Sequence, residues 1–515
     1  MSSVITSNVT SGFIDLATFD EIEKYMYGGP DATAYFVRET RKSTWFTQVP
    51  VVLSNAAGSP GFNQDWSVNI SRAGDYLLQT WLRLSTPTIT LSCASSLGTI
   101  RWTNNLMHNL IRECSITFND LVAARFDNYQ LDFWAAFTTP ASKQAGYDAM
   151  IGNIPSLTNP VGPGYTLPTE TLNLPLPFFY GRDSGVALPT AALPYNEMRI
   201  NFSFRDWTEL LVAQVPVPIG KITFIGQNVN LSSDTGTGYQ SVQVPSSAID
   251  LVGGSPTLSS RCYVWANYAI VSNDERKRMA CAPRDILIEQ VQTAPLQTWN
   301  PNTNAYPSYD IRFSHAIKVL FFAVRNKTCW SAWSNYTCWS QYVTFYDGVV
   351  DDFDNDGFAL VPFQQLTPFQ GVWNESGPPL YPSTGGSPDP IMETSLIYEN
   401  TSRLSQMGSD YFSLVNPWFN APTIPNKTGF HSYSYSLDFI CLDPMGSTNF
   451  GKLTNVSINP TASSSAKVSA VAGTGASGVN GSAASSSGQQ YQFITTAVNN
   501  NIIRISGGAL GFPVL

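Results

Sequence analysis

Charged side chains are scarce in this chain of 515 residues: Asp, Glu, Lys and Arg together make up 13%, about half the usual share. The balance is acidic, with 28 basic against 37 acidic residues and a formal net charge of −9. That argues against a polyphosphate partner, whose recognition calls for a basic surface. The small basic clusters RETRK (38–42) and DERKRM (274–279) have acidic neighbours and read as solvated or paired faces. Histidine occurs only as His108, His315 and His431. These are far apart in sequence, so imidazole-based metal or acid–base chemistry has no local cluster to draw on. The seven cysteines include no CxxC pair, which excludes the usual zinc and disulfide frameworks. GxSxG, HExxH and Walker A are all missing, and with them the local signatures of common catalytic and nucleotide sites. The GxGxxG match GTGASG (473–478) falls in an Ala/Gly/Ser-rich stretch that precedes no helix, which removes the phosphate-cradle reading. No apolar run reaches the roughly 20 residues that span a bilayer. The N-terminal MSSVITSNVTSGF has neither the basic nor the apolar region of a secretory signal.

What is abundant points to strands. Aromatic residues reach 13% and prolines number 34, so much surface is destined for cores or subunit contacts and turns are frequent. The length exceeds one ordinary core, and two to three domains are expected. Alternation of apolar and polar residues marks strands with one buried face. It runs through TAYFVRE, STWFTQVPVVL, DWSVNISRAG, YLLQTWLRL, IRECSITFN and EMRINFSF. It fades near 213–220, where prolines gather, and resumes in RCYVWANYAIVS, ILIEQVQTA, YDIRFSHAIKVLFFAVRN, YSYSLDFICL, KLTNVSINP and YQFITTAV. Two stretches predict helix. In DLATFDEIEKYMYGG (15–29), Thr18 is placed to cap, Glu21 to complete a capping box and Gly28-Gly29 to stop the run. Phe19, Ile22, Tyr25 and Met26 then share one face, giving an amphipathic arm that must dock on something. Residues 119–137 carry apolar side chains at spacings of three and four and predict a helix-bearing insertion.

The loops carry the remaining candidates. In DDFDNDGFALVPF (351–363), Asp352, Asp354 and Asp356 alternate before Gly357 as in a calcium loop. The twelfth position, however, is Phe363 instead of a bidentate glutamate, so the stretch reads as a solvated acidic turn. Cys329 and Cys338 bound the segment CWSAWSNYTCW. Oxidation would let them close a small loop, and two free thiols fit the sequence equally well. Trp330, Trp333 and Trp339 suit packing in a loop or across an interface better than stacking on sugars. Sequons are numerous, Asn8 and Asn69 among them, and Asn326, Asn335, Asn374 and Asn400 are the candidate glycan sites. Residues 461–489, rich in Ala, Gly and Ser, form a loop between strands.

A weak repeat links the two halves. LIRECSITFNDLVAARFDNYQLDFW has a counterpart in SLIYENTSRLSQMGSDYFSLVNPW (395–418). ALPTAALPYNEMRINF (187–202) likewise echoes NAPTIPNKTGFHSYSYSLDF (420–439). Two tandem copies of one Greek-key sandwich explain both. The expected organisation is an arm over 1–29, a first sandwich over 30–215 and a second over 216–515, with a long insertion at about 329–390.

Several blocks are similar to a known family: SNVTSGFIDLATFDEIEKYMYGG, ISRAGDYLLQTWLRL, LMHNLIRECSITFNDLVAARF, GVALPTAALPYNEMRINF, RFSHAIKVLFFAVRN, DPMGSTNFGKL and NNNIIRISGGALGFPVL. In this order they resemble the major capsid protein of iridoviruses, from residue 7 to the last residue, departing at 214–260 and 329–390. The resemblance implies an all-β double jelly roll, two tandem eight-stranded antiparallel sandwiches with short helical insertions. It also implies a structural, non-enzymatic late protein without cofactors, forming pseudo-hexagonal homotrimers that tile an icosahedral shell. Its partners would be neighbouring trimers, minor capsid and penton proteins and an underlying internal membrane, with no direct nucleic-acid contact and with assembly in the host cytoplasm. Phe19, Ile22 and Met26 would bury the arm on the shell's inner face or on a neighbouring subunit. The competing reading is a carbohydrate-binding β-sandwich protein using exposed tryptophans.

Overall fold

The computed structural model describes residues 2–38, 40, 42–93, 95, 99–218, 222–224, 227–229, 237–242, 249–258, 262–328, 330–338, 343–346, 389–470 and 489–512. The acidic stretch 351–363, Asn374, Cys329, Trp339 and most of the Ala/Gly/Ser loop lie outside these residues. By its contacts the chain divides at Trp45/Phe46 into an N-terminal unit and a large β unit.

The N-terminal unit holds two helices, Ser2–Ala17 and Glu21–Met26. The cap of the second differs from expectation. Asp20, not Thr18, accepts from the Glu21 amide at 2.8 Å, and Glu23, not Glu21, completes the capping box. The Thr18 hydroxyl instead donates back to the Asp15 carbonyl at 2.6 Å. TAYFVRE, expected as a strand, forms turns and irregular backbone over its described residues.

In the β unit, the first sandwich packs two sheets around one core. One sheet runs Phe46–Val52, Tyr263–Val271, Tyr76–Ser85, Thr171–Pro175. The other runs Ser54–Ala57, Asp65–Asn69, Met198–Phe204, Ile111–Phe118, Leu121–Phe126. Alternation does what it predicts: in Met198–Phe204, Met198, Ile200, Phe202 and Phe204 are buried while Arg199, Asn201 and Ser203, on the opposite face, are half-buried. The second sandwich repeats the plan. Its first sheet runs Arg284–Thr293, Tyr491–Ser506, Ala316–Asn326, His431–Ser434. Its second runs Tyr309–Asp310, Val456–Ala462, Ile391–Tyr398, Thr401–Gly408.

Chain order and sheet order agree between the two sandwiches for eight strands each, leaving aside the edge strand Ser54–Ala57 of the first and the short strands Gln297–Trp299, Thr448–Asn449 and Ala509–Gly511 of the second. Ile111–Phe118 with Leu121–Phe126 corresponds to Ile391–Tyr398 with Thr401–Gly408. Each hairpin turns on two residues with left-handed backbone, Asn119 and Asp120 (φ 48° and 66°) and Glu399 and Asn400 (φ 46° and 63°). Such turns match the right-handed twist of the flanking strands. The first expected repeat is therefore real, although 119–137 is not one helical insertion: its first part is the strand Leu121–Phe126, and the helix is Asn128–Thr138. The second echo pairs the wrong elements. His431–Ser434 is the counterpart of Thr171–Pro175, whereas Met198–Phe204 corresponds to Val456–Ala462.

The boundary expected at 215/216 also moves. Tyr263–Val271 pairs with Phe46–Val52 and Tyr76–Ser85, so it belongs to the first sandwich. The division falls at the connecting helix Asn273–Cys281. Arg276 on this helix clamps Asp75 of the first sandwich with Nε at 2.7 Å and Nη2 at 2.9 Å, so the DERKRM cluster is partly paired. A further sheet joins Val343–Tyr346, Thr237–Val242, Leu211–Pro218 and Thr99–Trp102. It brings the two departing segments together through Thr237–Gln240 and Val343–Tyr346. At the other end of the chain, Ala509–Gly511 pairs with Tyr491–Ser506, Leu510 is buried and Phe512 packs on the core.

Candidate functional site at the seam between the sandwiches

The helix Asn128–Thr138 follows the first hairpin. Asp127 caps it, accepting from the Gln130 amide at 2.9 Å. Its apolar face lies on the first sheet of the second sandwich. Phe133 and Phe137 stack on Phe321, with centroids 5.7 and 5.3 Å away, and Trp134 meets Phe439 edge-on at 6.2 Å. This explains why Ala316–Asn326 reads as a nearly continuous apolar run: Leu320, Phe322 and Val324 face their own core, while Val319, Phe321 and Ala323 join the core of the first sandwich.

One turn of that helix supplies a buried carboxylate that ties the seam. Asp132 Oδ1 accepts from His108 Nδ1 at 2.7 Å and Asn105 Nδ2 at 2.9 Å. Its Oδ2 accepts from Ser334 Oγ at 2.8 Å and from the Tyr336 hydroxyl at 2.7 Å. The first two donors belong to the first sandwich and the last two to the second. His108 Nε2 in turn pairs with the Tyr147 hydroxyl at 2.6 Å. Burial pushes the Asp132 carboxyl up, but the hydrogen bond and charge of His108, with the Tyr336 and Ser334 hydroxyls, outweigh it and hold the group below its ordinary range. Asp75 is held low in the same way, burial being overcome by Arg276 and the Val271 amide. Asp127 is raised by burial and works in the opposite sense.

A pH dependence follows. Asp132 and Asp75 bind protons more weakly folded than unfolded. Their stabilisation is therefore complete above the unfolded value of about 4 and vanishes as pH falls through the lower folded values. The melting temperature is expected to hold from pH 7 to about pH 5 and drop below about pH 4. Asp132→Asn should flatten that drop when the same melts are repeated.

Two further contacts cross the seam. Trp333 is held between guanidinium groups, Arg325 at 3.5 Å and Arg205 at 3.9 Å from its ring centroid. Its indole Nε1 donates to the Glu209 carbonyl at 2.9 Å and its amide to Thr103 Oγ1 at 3.0 Å. Buried Glu289 faces two cations. Lys318 Nζ donates to its Oε1 at 2.5 Å, and Arg182 Nη2 of the first sandwich lies 3.0 Å from its Oε2. The second is an ion pair without hydrogen-bond alignment, since Oε2 has no partner of good geometry. Arg182 also covers Trp134 at 3.6 Å. Paired and hydrogen-bonded, these charges are tolerable inside; a single deletion would strand its partner.

The residues singled out from sequence fall into three groups. Asn326 and Asn335 are buried (2% and 6% exposed) and are corrected as glycan sites. Each uses Oδ1 to accept from the hydroxyl two residues on, Thr328 at 2.6 Å and Thr337 at 2.8 Å. The sequon spacing there makes an Asx turn instead of an acceptor site. Asn400 is exposed at its hairpin turn, and Asn374 lies outside the described residues. Cys338 is buried and its carbonyl accepts from the Tyr491 hydroxyl at 3.1 Å, while Cys329 lies outside the described residues. Phe19, Ile22 and Met26 are 50%, 71% and 65% exposed in the single chain. The Asp132 cluster went unseen in the sequence because its donors lie up to 204 residues from Asp132 along the chain.

Two sandwiches of one eight-strand plan, in tandem and sealed by this seam, define a double jelly roll. The solved structures agree. The chain is similar to the PBCV-1 virus capsid quasi-atomic model, with TM-score 0.64 and 18% identity over 94% of this chain and 100% of that one. It is also similar to the Faustovirus major capsid protein, with TM-score 0.59 and 12% identity over 95% and 94%. At such identities the likeness establishes the fold. Residues 34–269 match the family described as major capsid protein N-terminus, and residues 275–511 that described as large eukaryotic DNA virus major capsid protein. Major capsid proteins of Costelytra zealandica iridescent virus and Invertebrate iridescent virus 6 are 59% and 58% identical, each over 100% of both chains. That of Lymphocystis disease virus 1 is 46% identical, again over 100% of both. The chain belongs to the large eukaryotic DNA virus major capsid proteins, with the iridoviruses, and is a structural component of the virion capsid.

Proposed function

We propose that three copies of this chain form a homotrimer and that these trimers tile the facets of an icosahedral shell. The observation that carries this reading is the tandem repeat itself. One chain supplies two sandwiches of one topology, so three chains present six similar units, the number that fills a hexagonal array. Purified protein imaged in thin film should show particles of hexagonal outline that pack edge to edge; round, unassociated single chains would oppose the reading.

The partners then follow by position. Neighbouring trimers, minor capsid and penton proteins would contact the shell's edges, with the internal membrane beneath and assembly in the host cytoplasm. The N-terminal arm, with Phe19, Ile22 and Met26 exposed, is proposed to dock on the shell's inner face or on a neighbouring subunit. Deleting residues 1–29 should leave both sandwiches folded and trimeric and cut particle yield in infected or co-expressing cells. A normal particle count from the truncated chain would remove the arm from assembly.

A further inference from the structure

The seam inside the chain has an unused twin. In the second sandwich, one row of paired residues crosses the first sheet as Thr293, Thr496, Phe321 and Ser432. The corresponding row of the first sandwich is Val52, Trp265, Trp81 and Pro175. Phe321 and Trp81 occupy the same strand of the plan and point away from their own cores. Phe321 is fully buried under the helix Asn128–Thr138. Trp81 and Trp265 stack on each other at 6.2 Å, half-exposed, beside Val52 at 40% and Tyr263 at 43% exposed. A cavity of about 330 Å³ lined by Arg83, Ser85, Thr171, Tyr263 and Trp265 opens on this face.

The helix that covers Phe321 has its own counterpart. After the second hairpin come the helical turns Tyr411–Val415 and Asn416–Asn420, where the first sandwich has Asn128–Thr138. In the first copy, Phe133, Trp134 and Phe137 are covered by the second sandwich. In the second copy, Val415, Trp418 and Phe419 are 41%, 71% and 75% exposed. One chain therefore carries a helix without a sheet and a sheet without a helix, in the relation already satisfied within it.

Resting on the homotrimer reading, we infer that the helical turns 411–420 of one copy dock through Trp418 and Phe419 on the Val52–Trp265–Trp81–Pro175 face of the next. The occupant is a second copy of this chain because the matching surface is on the same chain and the internal seam shows its mode of use. Charge agrees: exposed Arg83 lies on the face and exposed Asp410 begins the helical turns. The contact is heterologous, helix to sheet, so it propagates head to tail and must close into a ring to terminate. With two sandwiches per chain, closure at three chains gives six equivalent contacts, three internal and three between copies.

The test uses full-length protein and native mass at micromolar concentration. One variant breaks the helix side, Trp418→Ala with Phe419→Asp; another breaks the face, Trp81→Gln with Arg83→Glu. Each alone is expected as a folded monomer with wild-type strand content, melting below the trimer because the stabilisation from association is lost. Mixed together, they should give dimers and nothing larger, because one intact helix then meets one intact face. Should the face variant misfold, Arg83→Glu with Val52→Asp, both at exposed positions, replaces it. Trimers from either folded variant overturn this interface and leave the homotrimer standing. A monomeric wild type would instead overturn the homotrimer.

Discussion

Asp132→Ala is expected to destabilise the folded chain by about 3–5 kcal/mol, the scale for removing one partner of a buried charged network. Its side chain accepts four hydrogen bonds, from His108, Asn105, Ser334 and Tyr336. Alanine leaves all four donors without their acceptor, His108, Asn105 and Tyr336 buried and Ser334 half-buried, and an unmet buried group costs about 1–3 kcal/mol. The losses do not add fully, since Ser334 and Tyr336 lie on a connecting segment that can relax. Asp132→Asn keeps the shape and one acceptor oxygen, so its loss should be smaller. Denaturant unfolding of the two variants beside wild type measures both; equal, small effects would show that the seam is held by apolar packing alone.

Trp333→Ala is expected to cost a similar amount, about 3–5 kcal/mol. The indole fills the space between Arg205 and Arg325, and each cation–π contact is worth about 0.5–2 kcal/mol depending on how dry it is. Truncation removes both, frees the Glu209 carbonyl and leaves two guanidinium groups facing each other across a void. The same residue separates this account from a sugar-binding sandwich. At 7% exposure Trp333 is a packing element, so the variant should lose thermal stability, whereas a glycan platform would lose ligand affinity at unchanged stability.

Much of the fold was legible because a half-buried strand writes its environment into alternate residues, as Met198–Phe204 does. The sheet against the seam was harder to read. Ala316–Asn326 is buried on both faces, and a continuous apolar run does not say what covers the second one. The boundary at 215/216 was misplaced because the last strand of the first sandwich, Tyr263–Val271, arrives after a long stretch with little alternation. The helix Ser2–Ala17 was not foreseen: its first turns are rich in Ser, Thr and Val, which favour helix weakly. Capping in the arm slipped by two residues because Thr18 and Asp20 both offer side-chain oxygens ahead of the helix. At Asn326 and Asn335 the motif was legible and its meaning was not, since an Asx turn and a glycan acceptor share one spacing and only burial tells them apart. No local pattern could have announced Asp132, whose four partners converge only in the folded chain.

The central claim, that this capsid subunit works as a trimer of tandem sandwiches, is tested most directly by the native mass of the purified full-length chain at micromolar concentration. A single species at three times the chain mass, persisting on tenfold dilution, is the predicted result. A monodisperse single-chain mass with full strand content would contradict it.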